Sequence, residues 1–193
     1  MAFLLFPLKN FPNETFAVIF SILFIIILII EPKILLRYKS KKEDKSSLMF
    51  IILGIFMPVV TNIFLSYTNI GEINTTVSYL GLIIIISGFV LRQYSIKILG
   101  RFFTPVIMLQ KDQKLIQEGP YKYIRHPSYT GLLLELTGLS LSLSNWLSLL
   151  ITLILFLPVI NYRIKIEEEF LNKNFKGYPN YQKRTKKLIP YIY

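Results

Sequence analysis

The 193-residue chain contains no cysteine and a single histidine. The first absence excludes disulfides, thiolate metal sites and a cysteine nucleophile; the second excludes a histidine-rich metal centre. No metal site is expected. Charge is scarce as well: 17% of residues are Asp, Glu, Lys or Arg, against about 25% in soluble domains. What charge there is leans one way, with 22 Lys and Arg against 11 Asp and Glu, a net +11. Such a surplus can mark a nucleic-acid binder. Here 53% of residues are hydrophobic and they come in blocks, so the surplus reads as loops facing anionic lipid, and no nucleic-acid partner is expected.

A hydrocarbon core about 30 Å thick takes roughly 20 apolar residues as helix. Blocks of that kind run over 15–36, 48–67, 76–98 and 129–162. The last is too long for one span. Ser144-Asn145 breaks it, which predicts a helical hairpin of 129–143 and 146–162, with Trp146 near the far interface. The expected fold is therefore an all-α integral membrane protein with about five transmembrane helices. It forms one membrane domain, 1–193, in which 1–98 supplies three spans and 99–193 a loop, the hairpin and a tail. The run from Thr15 to Ile30 has only Lys9 before it, and Glu31-Pro32-Lys33 after it offers no small-residue cleavage site, so it reads as a retained helix.

Lys and Arg orient the spans. Segment 37–47 holds five and 68–75 none; 97–127 holds six, the 144–145 turn none, and the tail from Arg163 eight. Positive charge alternates with each crossing, which predicts an outside N-terminus and a cytoplasmic C-terminus. Two cytoplasmic pieces are then long enough to build a site, 99–128 and 163–193.

The first ends in Gly119-Pro120-Tyr121-Lys122-Tyr123-Ile124-Arg125-His126-Pro127-Ser128-Tyr129-Thr130-Gly131. Gly119 and Pro120 favour a turn. Pro127 can open the next helix, whose first N–H groups are ready for an anion or hydroxyl. As isolated residues these are ordinary interface anchors; the combination is less ordinary. In the second piece, Arg163 and Glu167 fall four apart on one helical face. Glu168 and Glu169 turn away and are expected in solvent. Arg before Glu is the weaker helical order, so helix stabilisation explains the pair poorly. Phe175, Tyr178, Tyr181, Lys183 and Arg184 read as an amphipathic interfacial segment.

Taken together, Arg125-His126-Pro127-Ser128-Tyr129-Thr130-Gly131, an apolar hairpin, Arg163, Glu167-Glu168-Glu169-Phe170-Leu171, and then Phe175, Tyr178 and Tyr181 resemble the isoprenylcysteine carboxyl methyltransferases. These sit within a wider superfamily of small membrane methyltransferases. The resemblance covers roughly residues 95–190. It implies a polytopic enzyme that uses S-adenosyl-L-methionine, bound in a cytoplasmic pocket, with a lipid or prenylated substrate arriving from the bilayer. Carried over to this chain, the cofactor pocket would comprise Gln113, Lys114, Leu115, Ile116, Tyr121, His126, Pro127, Ser128, Tyr129 and Glu167. Arg163 would face the substrate. Arg163 and Glu167 are the expected catalytic pair. The chain departs from the family pattern in three places: Gln113 stands where a histidine is frequent, Val106 stands about where some members carry a glutamine, and the glycine after Phe175 is displaced to Gly177.

A carboxylate acceptor is already a nucleophile at pH 7, so methyl transfer to it needs no general base. It needs positioning and removal of water, and a guanidinium grips a carboxylate with two parallel bonds. Arg163 suits that task and Glu167 suits an ammonium or ribose hydroxyls. Methyl transfer to a phospholipid amine or a small thiol stays open, as do an NADPH-dependent membrane reductase and a non-catalytic lipid-binding membrane protein.

Overall fold

The computed structural model describes residues 6–36 and 45–190. Its regular elements are helices: α1 (Glu14–Leu36), α2 (Lys45–Ser66), α3 (Val77–Leu99), α4 (Pro127–Ser142), α5 (Trp146–Asn174) and α6 (Tyr178–Arg184). Only two isolated β-bridges occur among the described residues. Helices thus stand on each of the apolar blocks, with α4 and α5 sharing the last of them, and the basic segment 37–44 lies outside the described residues. Among the described residues, three helical segments are long and apolar enough to cross a membrane by themselves: Met49–Ser66, Val77–Phe102 and Trp146–Asn174. With 16 residues, α4 reaches only about 24 Å, less than the core thickness. The first arm of the expected hairpin is therefore a short helix laid along α3.

The predicted turn between the hairpin arms is present. Ser144 adopts a positive φ of 53°. Asn145 then caps α5, its side-chain oxygen accepting from Ser148 N at 2.8 Å, while its amide donates to Ile70 O at 2.8 Å. Trp146 N donates to Gly71 O at 3.0 Å and Ile73 N to Ser144 O at 2.8 Å. Lys9 Nζ reaches Glu72 at 2.7 Å and the Thr68 carbonyl at 2.6 Å. The N-terminal segment, the 67–76 loop and the hairpin turn thus share one end of the bundle. Asn145→Ala removes both the cap and the Ile70 bond. It is expected to lower stability by about 1 kcal/mol, read as a lower thermal unfolding midpoint in detergent.

Glycine sets the closest helix pair. Gly81 and Gly88 lie seven apart on α3, and Gly131 and Gly138 seven apart on α4, so each pair sits on one face. A Cβ on Gly88 would stand 2.6 Å from Gly131 O, and one on Gly81 would stand 2.2 Å from Ser142 N. Backbones meet here as small-residue interfaces in lipid allow. Across the bundle, α2, α4 and α5 bury Ile51, Leu132, Leu136, Phe156, Ile160 and Ile164 together. Polar contacts join the same helices: Asn62 donates to Thr152 Oγ1 at 3.0 Å, and Thr152 meets Ser140 Oγ at 3.2 Å. Outward faces stay apolar, with Ile22, Phe56, Ile83 and Ile154 all exposed, as a lipid surround requires.

Candidate active site

At the opposite end from the hairpin turn, the loop after α3, the start of α4, the end of α5 and the tail surround one cavity of about 140 Å³. Gly119, with φ 55°, opens the 3₁₀ turn Gly119–Lys122. A Cβ there would stand 2.2 Å from Ile98 Cδ1, so glycine lets the turn lie flat on α3. This turn buries Tyr121, whose carbonyl accepts from Tyr181 Oη at 2.7 Å. Pro127 then starts α4, and His126 occupies the cap position with φ −124° and ψ 56°. Its ring is stacked on Tyr129, centroids 5.7 Å apart.

Tyr129 is the centre of the polar wall. Its hydroxyl donates to Glu167 Oε2 at 2.8 Å and accepts from Arg163 Nε at 3.2 Å. Arg163, 3% exposed, also donates from Nη2 to Pro105 O at 2.7 Å. The side chain is therefore fixed from two directions, by α4 and by the loop after α3. A second layer lies beside it. Arg125 Nε and His126 Nε2 both address Glu168 Oε1, at 2.6 and 3.2 Å. Arg125 Nη1 donates to the carbonyls of Gln182 and Thr185 in the tail.

The sequence-derived residues converge. Gln113, Lys114, Leu115, Ile116, Tyr121, His126, Ser128, Tyr129, Arg163 and Glu167 all line the one cavity. Pro127 is buried behind it and acts by starting the helix. Two expectations are corrected. Glu168 is not solvated: its side chain is 12% exposed and bonded to Arg125. The rotation that takes it off the Arg163–Glu167 face points it at the start of α4 and the returning tail. Glu169 is exposed, as expected. The tail is not an interfacial segment laid on its aromatic face either. In α6, Tyr178 and Tyr181 are buried against the cavity, and Lys183 and Arg184 take the outside.

Burial pushes the phenols of Tyr121, Tyr178 and Tyr181 above their usual range, and nearby carboxylates push the same way, Glu167 on Tyr121 and Glu168 on Tyr178. All three stay neutral at physiological pH and present hydroxyls rather than charge. Sequence reasoning missed Arg92, the only charged residue in 77–96. It is 5% exposed, lines the cavity and donates to Ser128 O at 3.2 Å. Its signal was its place, since a charge inside an apolar span marks function by default. The opposite wall is apolar, with Ile51, Ile55, Leu99, Phe102, Phe103 and Leu132.

Fold and cavity together define an all-helical, multi-pass membrane protein with a half-polar, half-apolar site at one end of its bundle. The sequence model of the isoprenylcysteine carboxyl methyltransferase (ICMT) family matches residues 80–173, and the chain is related to that family across this stretch. Similar curated proteins include a probable protein-S-isoprenylcysteine O-methyltransferase from Oryza sativa subsp. indica, 37% identical over 119 residues, covering 60% of this chain and 62% of the relative. Protein-S-isoprenylcysteine O-methyltransferase B of Arabidopsis thaliana is 34% identical, covering 60% of each. The Saccharomyces cerevisiae protein-S-isoprenylcysteine O-methyltransferase is 32% identical over 116 residues, 58% of this chain and 48% of the relative. The chain thus spans about three fifths of the length of the plant relatives it matches. Among solved structures, the eukaryotic intramembrane Ras methyltransferase ICMT superposes with a TM-score of 0.58 at 25% identity, covering 91% of this chain and 63% of the other. These likenesses bear out the resemblance read from the motifs.

Proposed function

We propose that the chain transfers a methyl group from S-adenosylmethionine to the carboxylate of a prenylcysteine-like, lipid-linked acceptor at the cytoplasmic face of a membrane. The observation that carries this reading is the single cavity that joins the polar wall of Tyr129, Arg163 and Glu167 to an apolar wall on α2, α3 and α4. A carboxylate on an apolar chain needs both. The orientation rests on the alternation of Lys and Arg between successive loops.

The residues present fit such a cofactor. Glu167 is held by the Tyr129 hydroxyl, with one carboxylate oxygen engaged at 2.8 Å, and suits an ammonium or a ribose diol. Tyr178 supplies an independent sign. It is 1% exposed, it lines the cavity, and among the described residues its hydroxyl has no hydrogen-bond partner. A buried hydroxyl left unpaired is costly, and a ligand with hydroxyls or ring nitrogens removes that cost. Gln113, Lys114, Leu115, Ile116, Tyr121, His126, Ser128 and Tyr129 complete the cofactor wall.

When bound, the cofactor supplies a methyl group on a positively charged sulfur. The chain's own residues do the rest. Arg163 orients the acceptor carboxylate, and its anchors on Tyr129 and Pro105 fix the guanidinium plane beforehand. The carboxylate attacks as an anion, so no residue has to take a proton. Phe102, Phe103 and Leu132 keep water from the anion, which strengthens the Arg163 contact.

The test supplies the purified chain in vesicles with methyl-labelled S-adenosylmethionine and, separately, a short farnesylcysteine derivative, phosphatidylethanolamine and an alkyl thiol. Label that base treatment releases as methanol from the farnesylcysteine product identifies a carboxyl ester. Label that resists base, on the amine or the thiol, would replace this acceptor with the competing one. Tyr178→Phe is expected to weaken S-adenosylmethionine binding by about tenfold, the worth of one buried hydrogen bond. Isothermal titration checks it, and unchanged affinity removes Tyr178 from the cofactor wall.

A further inference from the structure

The tail does more than wall the cavity. Beyond α6, residues 185–188 run beside 123–126. Arg125 N donates to Lys186 O at 2.8 Å, His126 N to Lys187 O at 3.1 Å, and Lys186 N to Tyr123 O at 3.1 Å. Thr130 Oγ1 donates to Leu188 O at 2.8 Å. The strap is thus stitched directly to the backbone that carries Arg125 and His126.

Its depth can be read from Leu188. That side chain is buried in the cluster of Ile51, Phe156 and Ile160, residues of the membrane-crossing helices α2 and α5. The next residue, Ile189, is 45% exposed. Lys183, Arg184 and Lys186, also exposed, lie within five residues of Leu188 and so stand at the level where apolar side chains give way to headgroups. Residues 170–190 hold six Lys and Arg and no Asp or Glu. On α6 the aromatic side is used up by the cavity, so the outward side is cationic with nothing of opposite sign beside it in the tail. Cations held within a Debye length of an anionic surface are drawn to it, and an exposed isoleucine beside them favours the acyl boundary.

We propose that this strap docks on an anionic bilayer surface, with Lys183, Arg184 and Lys186 against lipid phosphates and Ile189 at the acyl boundary, and that docking holds the Tyr178–Tyr181 wall of the cavity in place. The docking stands on charge and depth alone; its consequence for the cavity rests on the proposed cofactor.

The absence of cysteine makes the test clean, because Ile189→Cys creates one labelling position. The full chain, labelled there with an environment-sensitive dye, is reconstituted in phosphatidylcholine vesicles with and without phosphatidylglycerol. Blue-shifted emission is expected only in the anionic vesicles, reversed by high salt and abolished by Lys183→Gln with Lys186→Gln, whose helicity should match the parent. Equal emission in both vesicle types overturns the docking. So does a double variant that still responds, or an equal shift produced in neutral vesicles by a soluble acidic peptide. In parallel, S-adenosylmethionine affinity of the unlabelled chain should tighten about fivefold in anionic vesicles. A dye shift with unchanged affinity overturns the coupling. No cofactor binding in either vesicle counts against the proposed reaction instead, and the dye result still decides the docking.

Discussion

Arg163→Ala should lower kcat/KM for methyl transfer by about a hundredfold, equivalent to ~3 kcal/mol of transition-state stabilisation. The size follows from burial. Arg163 is 3% exposed, and its guanidinium is held by the Tyr129 hydroxyl at 3.2 Å and the Pro105 carbonyl at 2.7 Å. Truncation removes the acceptor's counter-charge and leaves a carboxylate to enter a water-poor cavity alone. Arg163→Lys keeps the charge but loses the planar fork and cannot hold both anchors, so it should recover only part of the rate. Cofactor binding, measured by titration, should change far less than turnover, because Glu167 keeps its bond to Tyr129. Full activity in Arg163→Ala would remove Arg163 from the site. Equal losses in turnover and cofactor affinity would move it to the cofactor side.

Much of this arrangement is legible in the sequence. His126, Tyr129, Arg163 and Glu167 stood out because polar groups at the edge of an apolar run cost free energy unless they meet something, and all four line one cavity. The turn at Ser144-Asn145 was legible because a stretch too long for one span must reverse. Glu168 was misread for a physical reason. A helical wheel places residues relative to their own helix, but the groups that bury Glu168 come from Arg125 in a distant loop. The tail was misread likewise. Its amphipathic pattern is real, yet a pattern does not say which surface the aromatic side will meet, and Tyr178 and Tyr181 met the protein rather than the membrane. Arg92 was available as a lone charge in an apolar span. The paired glycines were available as well, as a repeat of seven on both α3 and α4; only the contact between the two helices gives that repeat its meaning.

That contact leads to the second large effect. Gly131→Ala would place a Cβ 2.7 Å from Gly88 O and 2.9 Å from Arg92 N. Backbone atoms cannot swing aside as a side-chain tip can, so α3 and α4 must separate, at about 1–3 kcal/mol. Gly138→Ala meets the same kind of obstacle, with Gly81 O and Ile85 N both at 2.8 Å, and should lower the thermal midpoint comparably. The two variants should part company in function. Gly131 stands two residues beyond Tyr129, and Arg92, against which it packs, bonds the Ser128 carbonyl at 3.2 Å. Spreading the helices there shifts the first turn of α4 and the hydroxyl that organises Arg163 and Glu167. Gly138 lies two turns away, toward the hairpin end. Well below both midpoints, Gly131→Ala should therefore lose most methyl transfer while Gly138→Ala retains most of it. If the two lose activity in step with their midpoints, the glycines serve stability alone; if neither midpoint moves, the close approach of α3 to α4 is itself wrong.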